Sequence, residues 1–123
     1  MDVSQISAGA LAYLGDSVLE ALIREKLVLK GYEKSAKLNK EALNYVTAVN
    51  QAKAFKNIEE ALSEEEANVF RRGKNSSHLN APKSASLLEY KIATGFEAIF
   101  GYLRLTKNEE RILELFALAY PEI

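Results

Sequence analysis

Two acidic residues stand in surroundings that are otherwise apolar, and they are the main candidates for chemistry. Asp16 follows Gly15 in a segment whose apolar residues recur at three-and-four spacing, which is typical of one face of a helix. Glu97 is the single charged residue from Ile92 to Leu103. A carboxylate in such surroundings is costly unless it is paired, hydrogen-bonded or bound to a metal. If the two helices pack together, the acids form a hard-oxygen site suited to Mg²⁺.

The residues alone leave other interpretations of these acids open. Asp16 can be a solvated aspartate on the outer face of its helix, and Glu97 can form a structural ion pair with a lysine. Glu20, one turn after Asp16, either supports the site or a dimer contact, or pairs with Arg24 at the next turn. Gly15 costs about 1 kcal/mol relative to alanine inside a helix, which predicts that another backbone approaches closely there.

The elements that must position these acids are all predicted to be helices. No segment shows the period-two alternation of a strand, and Ser63 and Glu66 match a capping box at the start of a short helix that ends near Phe70. The segment 73–86, rich in Gly, Ser and Asn, is predicted to be the one long loop. We expect five to seven helices, over approximately residues 7–30, 35–45, 47–62, 63–70, 84–103 and 109–119.

The composition limits the kinds of metal site and the cellular location that we expect for this chain. The chain has 123 residues and no cysteine, which predicts one domain without disulfides or thiolate metal sites. It shows no signal sequence and no apolar run of about 18 residues, so we expect a cytoplasmic protein without a membrane span. The sole histidine, His78, is expected to be an ordinary loop residue, because one histidine cannot build a multi-histidine metal site.

Positive charge is concentrated in one segment of a chain whose formal net charge is −1. No acidic residue occurs from Ala67 to Leu88, whereas Arg71, Arg72, Lys74 and Lys83 fall there. This pattern indicates one basic surface on a chain whose overall charge argues against a general nucleic-acid binder, and RNA contact is one interpretation of the arginine pair. The alternative is that the arginine pair only complements the dipole at a helix C-terminus.

Several motifs together resemble one enzyme family. Leu14–Glu20 is similar to the signature helix of the ribonuclease III catalytic domain, and Phe96–Leu103 is similar to its second acidic motif. Arg71–Asn75, then Pro82-Lys83, and later Asn108–Arg111 resemble the stand-alone mini-ribonuclease III subfamily. The resemblance covers essentially the whole chain, and the order and spacing of the motifs make it specific.

The resemblance implies an all-α, ribonuclease III endonuclease-domain-like helical bundle. It also implies a single catalytic domain over residues 1–123, without a double-stranded-RNA-binding domain, which acts as a homodimer. Asp16 and Glu97 match the catalytic, metal-binding acids, with Mg²⁺ as the cofactor and Mn²⁺ as a substitute. Ala12 and Thr94 occupy the positions of two further acids of full-length enzymes, so water must fill more of the metal's coordination shell. The implied RNA-binding residues are Arg71, Arg72, Lys74, Asn75 and Lys83.

The expected reaction is metal-assisted hydrolysis of double-stranded RNA. One or two Mg²⁺ ions would activate a water for in-line attack, which leaves a 5′-phosphate and a 3′-hydroxyl. For the mini subfamily, the resemblance implies the precursor of large-subunit (23S) ribosomal RNA as substrate, with a ribosomal protein or the pre-ribosome as a further partner. The alternative is a module of the same fold that binds structured RNA without cutting it. Retention of Asp16 and Glu97 favours the enzyme, because binding alone does not require them.

Overall fold

The computed structural model describes residues 2–76 and 85–123, and within them the chain forms helices and no strand. This confirms the predicted all-α class. Two short 3-10 turns lie at Val3–Gln5 and Glu59–Ala61. The six α-helices are α1 (Ala8–Leu29), α2 (Ser35–Val46), α3 (Ala48–Lys56), α4 (Glu64–Ser76), α5 (Leu87–Leu105) and α6 (Glu109–Ala119).

Helix α5 is the centre of the fold. It packs against α1, α3, α4 and α6, whereas α2 lies on α1 and α3. Phe96, Phe100 and Leu103, which the periodicity places on one side of α5, are all buried in the main hydrophobic core. Most of the surface of α5 is therefore covered by protein, and a charged residue on it must be accommodated by its neighbours.

Two glycines allow α1 and α5 to approach closely. A Cβ atom on Gly15 would lie 1.7 Å from the carbonyl oxygen of Glu97, and one on Gly101 would lie 1.9 Å from that of Leu11. Any side chain at either position would therefore force the two helices apart. The close approach predicted from Gly15 is confirmed, and the backbone that approaches it is that of Glu97.

Polar caps set several helix ends. The Ser7 hydroxyl accepts a backbone N–H of the first turn of α1. Ser63 and Glu66 form the predicted capping box of α4, with reciprocal side-chain to backbone bonds of 2.8 and 3.1 Å. Ser86 and Glu89 form a second capping box at the start of α5. These local contacts satisfy amide groups that a helix N-terminus otherwise leaves without partners.

Two predicted boundaries are wrong. The helix expected over 47–62 ends at Lys56 and is followed by a 3-10 turn. Helix α4 continues beyond Phe70 to Ser76, so the predicted loop does not begin at Gly73. Gly73 lies inside the helix, and a glycine suits this position because a Cβ there would come 2.8 Å from the Cα of Gly95 on α5. This glycine marks a helix crossing.

Because α4 extends to Ser76, most of the residues predicted to bind RNA lie on a helix. Arg71, Arg72, Lys74 and Asn75 lie on α4 and not on a loop. His78 and Lys83 lie outside the described residues. As for a membrane, none of the helices in the described ranges combines the length and the apolarity that a span requires.

Candidate active site

The crossing of α1 and α5 brings the two predicted acids together. Since Gly15 lies against the backbone of Glu97, the next residue, Asp16, is placed beside the Glu97 side chain. The two carboxyl groups are close enough to share a hydrogen bond. Asp16 is exposed and Glu97 is half-buried. The site therefore has one acid at the surface and one acid set deeper against the core.

The environment of Glu97 favours its neutral form. Burial is the largest cause, and the nearby negative charge of Asp16 and its hydrogen bond add to it, so the pKa of Glu97 rises to about 8. A hydrogen bond from Gln51 acts in the opposite direction, and the charge of Glu20 raises the pKa slightly further. A carboxyl group that is destabilised as an anion at neutral pH is typical of functional sites.

No basic side chain neutralises the pair in the described part of the chain. Neither Asp16 nor Glu97 takes part in any ion pair there, so the lysine partner considered for Glu97 is not found among these residues. Glu20 does pair with Arg24, at 3.6 Å on the exposed side of α1. Two acids in contact without a counter-ion are the arrangement that a bound cation would stabilise.

Comparisons with known proteins show what the chain is similar to. The family model of the ribonuclease III domain matches residues 9–108 of the chain, a range that contains both acids. A mini-ribonuclease 3 of Symbiobacterium thermophilum is 46% identical over 109 residues, which are 89% of this chain and 84% of that protein. A mini-ribonuclease 3 of Streptococcus pneumoniae is 42% identical over 125 residues, covering 100% and 98% of the two chains.

The chain belongs to the mini-ribonuclease 3 family.

A solved structure supports the fold as well. The X-ray structure of a protein from Fusobacterium nucleatum superposes with a TM-score of 0.89 at 35% identity, covering 98% of this chain and 97% of that one. The expected ribonuclease III-like bundle is thereby confirmed. As a member of the mini-ribonuclease 3 family, the chain is an endoribonuclease of the ribonuclease III type, a class that acts on double-stranded RNA and generally depends on a divalent metal.

The two positions that lack acids are filled by structural residues in this member of the mini-ribonuclease 3 family. Ala12, one turn before Asp16, is buried, with 6% exposure. Thr94 donates its hydroxyl hydrogen to the carbonyl oxygen of Tyr90, at 2.9 Å along α5. Within residues 2–76 and 85–123 no three histidine, cysteine, aspartate or glutamate side chains come together as a metal-binding group.

The basic residues of α4 already make contacts within the chain. Arg71 donates to the side-chain oxygen of Asn68, within the same helix. Arg72 donates through Nη2 to the carbonyl oxygen of Ile6, at 2.7 Å, and so holds α4 to the residue before the cap of α1. Both arginines are exposed, whereas Lys74 is half-buried. Their placement on a helix fixes their spacing, which a loop would not.

Gln51 adjoins the acid pair and is not among the residues predicted from the sequence. It lies on α3, is 3% exposed, and donates through Nε2 to Oε2 of Glu97 at 3.4 Å. A signal was present in the sequence: Gln51 shares a helix face with Ala48, Ala54 and Phe55, which are apolar. A polar residue on such a face is informative in the same way as Glu97.

Proposed function

We propose that Asp16 and Glu97 hold the divalent metal ion, Mg²⁺ or in its place Mn²⁺, with which the chain hydrolyses double-stranded RNA. The observation that carries the proposal is the contact between the two carboxyl groups, which lack a basic partner among the described residues. A structural role would call for a cation or a full set of hydrogen-bond donors at this place.

The donor atoms fit such an ion. Carboxylate oxygens are the protein ligands that Mg²⁺ prefers, and Mg²⁺ keeps several waters when only one or two carboxylates bind it. The pair on α1 and α5 supplies that number. The absence of acids at Ala12 and Thr94 fits a shell made largely of water.

The roles of the chain's own residues follow from this arrangement. Asp16 and Glu97 would hold the cation beside the phosphodiester that is to react, with the Glu97 carboxyl in its ionised form. A bound divalent ion supplies activation of water and stabilisation of the departing oxygen. Cleavage of the bond to the 3′ oxygen then leaves a 5′-phosphate and a 3′-hydroxyl.

Contacts with the RNA backbone are assigned to α4. Arg71, Arg72, Lys74 and Asn75 project from one helix, and Lys83 follows in sequence. A guanidinium group has five N–H donors, so the bond from Arg72 to Ile6 leaves others for a phosphate. Because A-form RNA is recognised mainly by shape, phosphates and 2′-hydroxyls, we expect little sequence preference and a strong dependence on salt.

The wider assignments rest on resemblance to the mini subfamily. We propose one catalytic domain over residues 1–123, a cytoplasmic location and a homodimer that cuts both strands of a duplex. Tyr13, which is 85% exposed one turn before Asp16, offers apolar surface for such a dimer. The substrate is assigned as the precursor of 23S ribosomal RNA, presented with a ribosomal protein or within the pre-ribosome.

The test is cleavage of a long RNA duplex by the purified protein, with Mg²⁺ and then with excess chelator. We expect cutting only with the metal, and a fall of roughly 10³-fold for Asp16→Asn, because a metal contributes several kcal/mol to the transition state. Duplex binding by Asp16→Asn should match the wild type. Binding without metal-dependent cutting by the wild type would instead identify a binding module.

A further inference from the structure

Gln51 is one of two polar side chains that the structure buries among the residues it describes. The other, Glu66, receives hydrogen bonds from Arg111 and from the backbone of Ser63. Gln51 has no comparable set of partners. Its buried amide therefore calls for an explanation that local structure does not provide.

The one side-chain hydrogen bond of Gln51 within the described ranges reaches the acid pair. Its Nε2 donates to Glu97 Oε2 at 3.4 Å, which links α3 to α5 across 46 positions of sequence. The side-chain oxygen of Gln51 has no hydrogen-bond partner among these residues. A distance of 3.4 Å is long for N–H···O, and hydrogen bonds at catalytic groups often shorten when the ligand is bound.

An apolar side chain of similar size would avoid the cost of burying this amide. Unlike an apolar group, the Gln51 amide provides a hydrogen-bond donor, which holds one oxygen of Glu97 in place. The other Glu97 oxygen is then left for a different partner. A neutral donor is suited to this task, because a lysine or arginine would neutralise the pair and compete with a cation.

We propose that Gln51 is a positioning residue of the acid pair, whose amide fixes the orientation of the Glu97 carboxylate for metal binding. The inference rests on the proposed metal site of Asp16 and Glu97 and deepens it. In this arrangement three helices, α1, α3 and α5, each contribute one side chain. The side-chain oxygen of Gln51 is then a neutral acceptor for a water molecule at the same site.

The test uses Gln51→Met, which keeps an unbranched side chain of similar length and removes both the donor and the acceptor. Ile112→Val is the matched control, because it trims a fully buried side chain on α6, outside the site. Mn²⁺ binding to the metal-free protein is measured by electron paramagnetic resonance without RNA, and kcat and KM are measured on duplex RNA. Thermal melting of each variant shows that it is folded.

We expect Gln51→Met to bind Mn²⁺ roughly 10-fold more weakly and to lose between about 10- and 100-fold in kcat, as is usual when a partner of a metal ligand is removed. KM for the duplex should change less than about twofold, because RNA contacts are made elsewhere. Ile112→Val should keep wild-type Mn²⁺ affinity and kcat. If Gln51→Met does not fold, Gln51→Asn, whose amide is one methylene too short to reach Glu97, should give the same pattern.

Wild-type Mn²⁺ affinity and kcat in the Gln51 variant would overturn the inference. So would losses of equal size in Ile112→Val, which would trace the effect to stability alone. Wild-type protein and Asp16→Asn are measured alongside to separate this failure from failure of the proposed function. If the wild type neither binds Mn²⁺ nor cuts the duplex, the metal site itself is wrong.

Discussion

Two glutamates, Glu66 on α4 and Glu97 on α5, are both withdrawn from solvent but have opposite surroundings. Glu66 accepts from Arg111 through Nε at 2.9 Å and Nη2 at 2.8 Å, and from the Ser63 amide. Burial alone would raise the pKa of Glu66, yet these bonds outweigh it and the pKa is lowered. Glu97 instead faces Asp16, and its pKa is raised to about 8.

The difference is the one expected between a structural acid and the metal-binding acid that we propose. The Glu66 carboxylate is stabilised by the folded chain itself, since it accepts hydrogen bonds from Arg111 on α6 and from the amide of Ser63, the residue before α4. The Glu97 carboxylate accepts one hydrogen bond, from the neutral amide of Gln51, and has no cation beside it among the described residues. Such a group either stays protonated or binds a cation, and both are useful at an active site.

Removing the partner of Glu66 should give the largest loss of stability. Arg111→Met leaves a buried carboxylate without a cation and should lower the free energy of unfolding by about 3 kcal/mol. Denaturant unfolding measures this. Arg104→Met, which breaks the exposed pair with Glu109 at 2.9 Å, is the control and should change stability by less than about 1 kcal/mol. Equal losses in the two variants would contradict a special role for the Glu66 pair.

Widening the crossing beside Glu97 should have the next largest effect. Gly15→Ala places a Cβ against the Glu97 carbonyl, so we expect a loss of about 1–3 kcal/mol in stability together with reduced cleavage, because the two acids are displaced. Gly9→Ala is the matched control on the same helix, since a Cβ there meets nothing within 4 Å. It should be neutral or stabilising by up to about 1 kcal/mol. A Gly15→Ala protein as stable and active as the wild type would refute the close crossing.

The smallest expected effect is a pH dependence of stability without metal. Between the unfolded-state pKa of a glutamate and the folded value of about 8 for Glu97, the native protein binds more protons than the unfolded chain. The free energy of unfolding therefore falls as pH rises through this window. We expect the melting temperature to fall by a few degrees more in the wild type than in Glu97→Gln between pH 5 and pH 8.5. Parallel pH profiles would show that Glu97 is not the group responsible.

The sequence predicted the helical class, the two acids and the reason for Gly15, because these depend on periodicity and on local cost. The capping box of Ser63 and Glu66 was also predictable, since all its contacts are local. Gly73 was misinterpreted as the start of a loop. The sequence alone does not distinguish a glycine that ends a helix from one that lets a neighbouring helix pack closely. Here the position of Gly95 against Gly73 makes the distinction.

Gln51 was missed for a different reason. Its partner Glu97 is 46 positions away, and no local pattern connects a glutamine on α3 with an acid on α5. The likeness between Asp16 and Glu97 was visible because each acid interrupts an apolar helix near a glycine. Gln51 also interrupts an apolar helix face, but it has no charge and no neighbouring glycine, so only the three-dimensional arrangement connects it with Glu97.

The most direct test of the account compares the two glutamates as metal ligands. Mn²⁺ binding to metal-free protein is measured by electron paramagnetic resonance for the wild type, Glu97→Gln and Glu66→Gln, at a temperature where all three are folded. The account predicts that Glu97→Gln loses Mn²⁺ binding and that cleavage of duplex RNA falls roughly 10³-fold, whereas Glu66→Gln keeps both. Wild-type binding and cleavage by Glu97→Gln would contradict it.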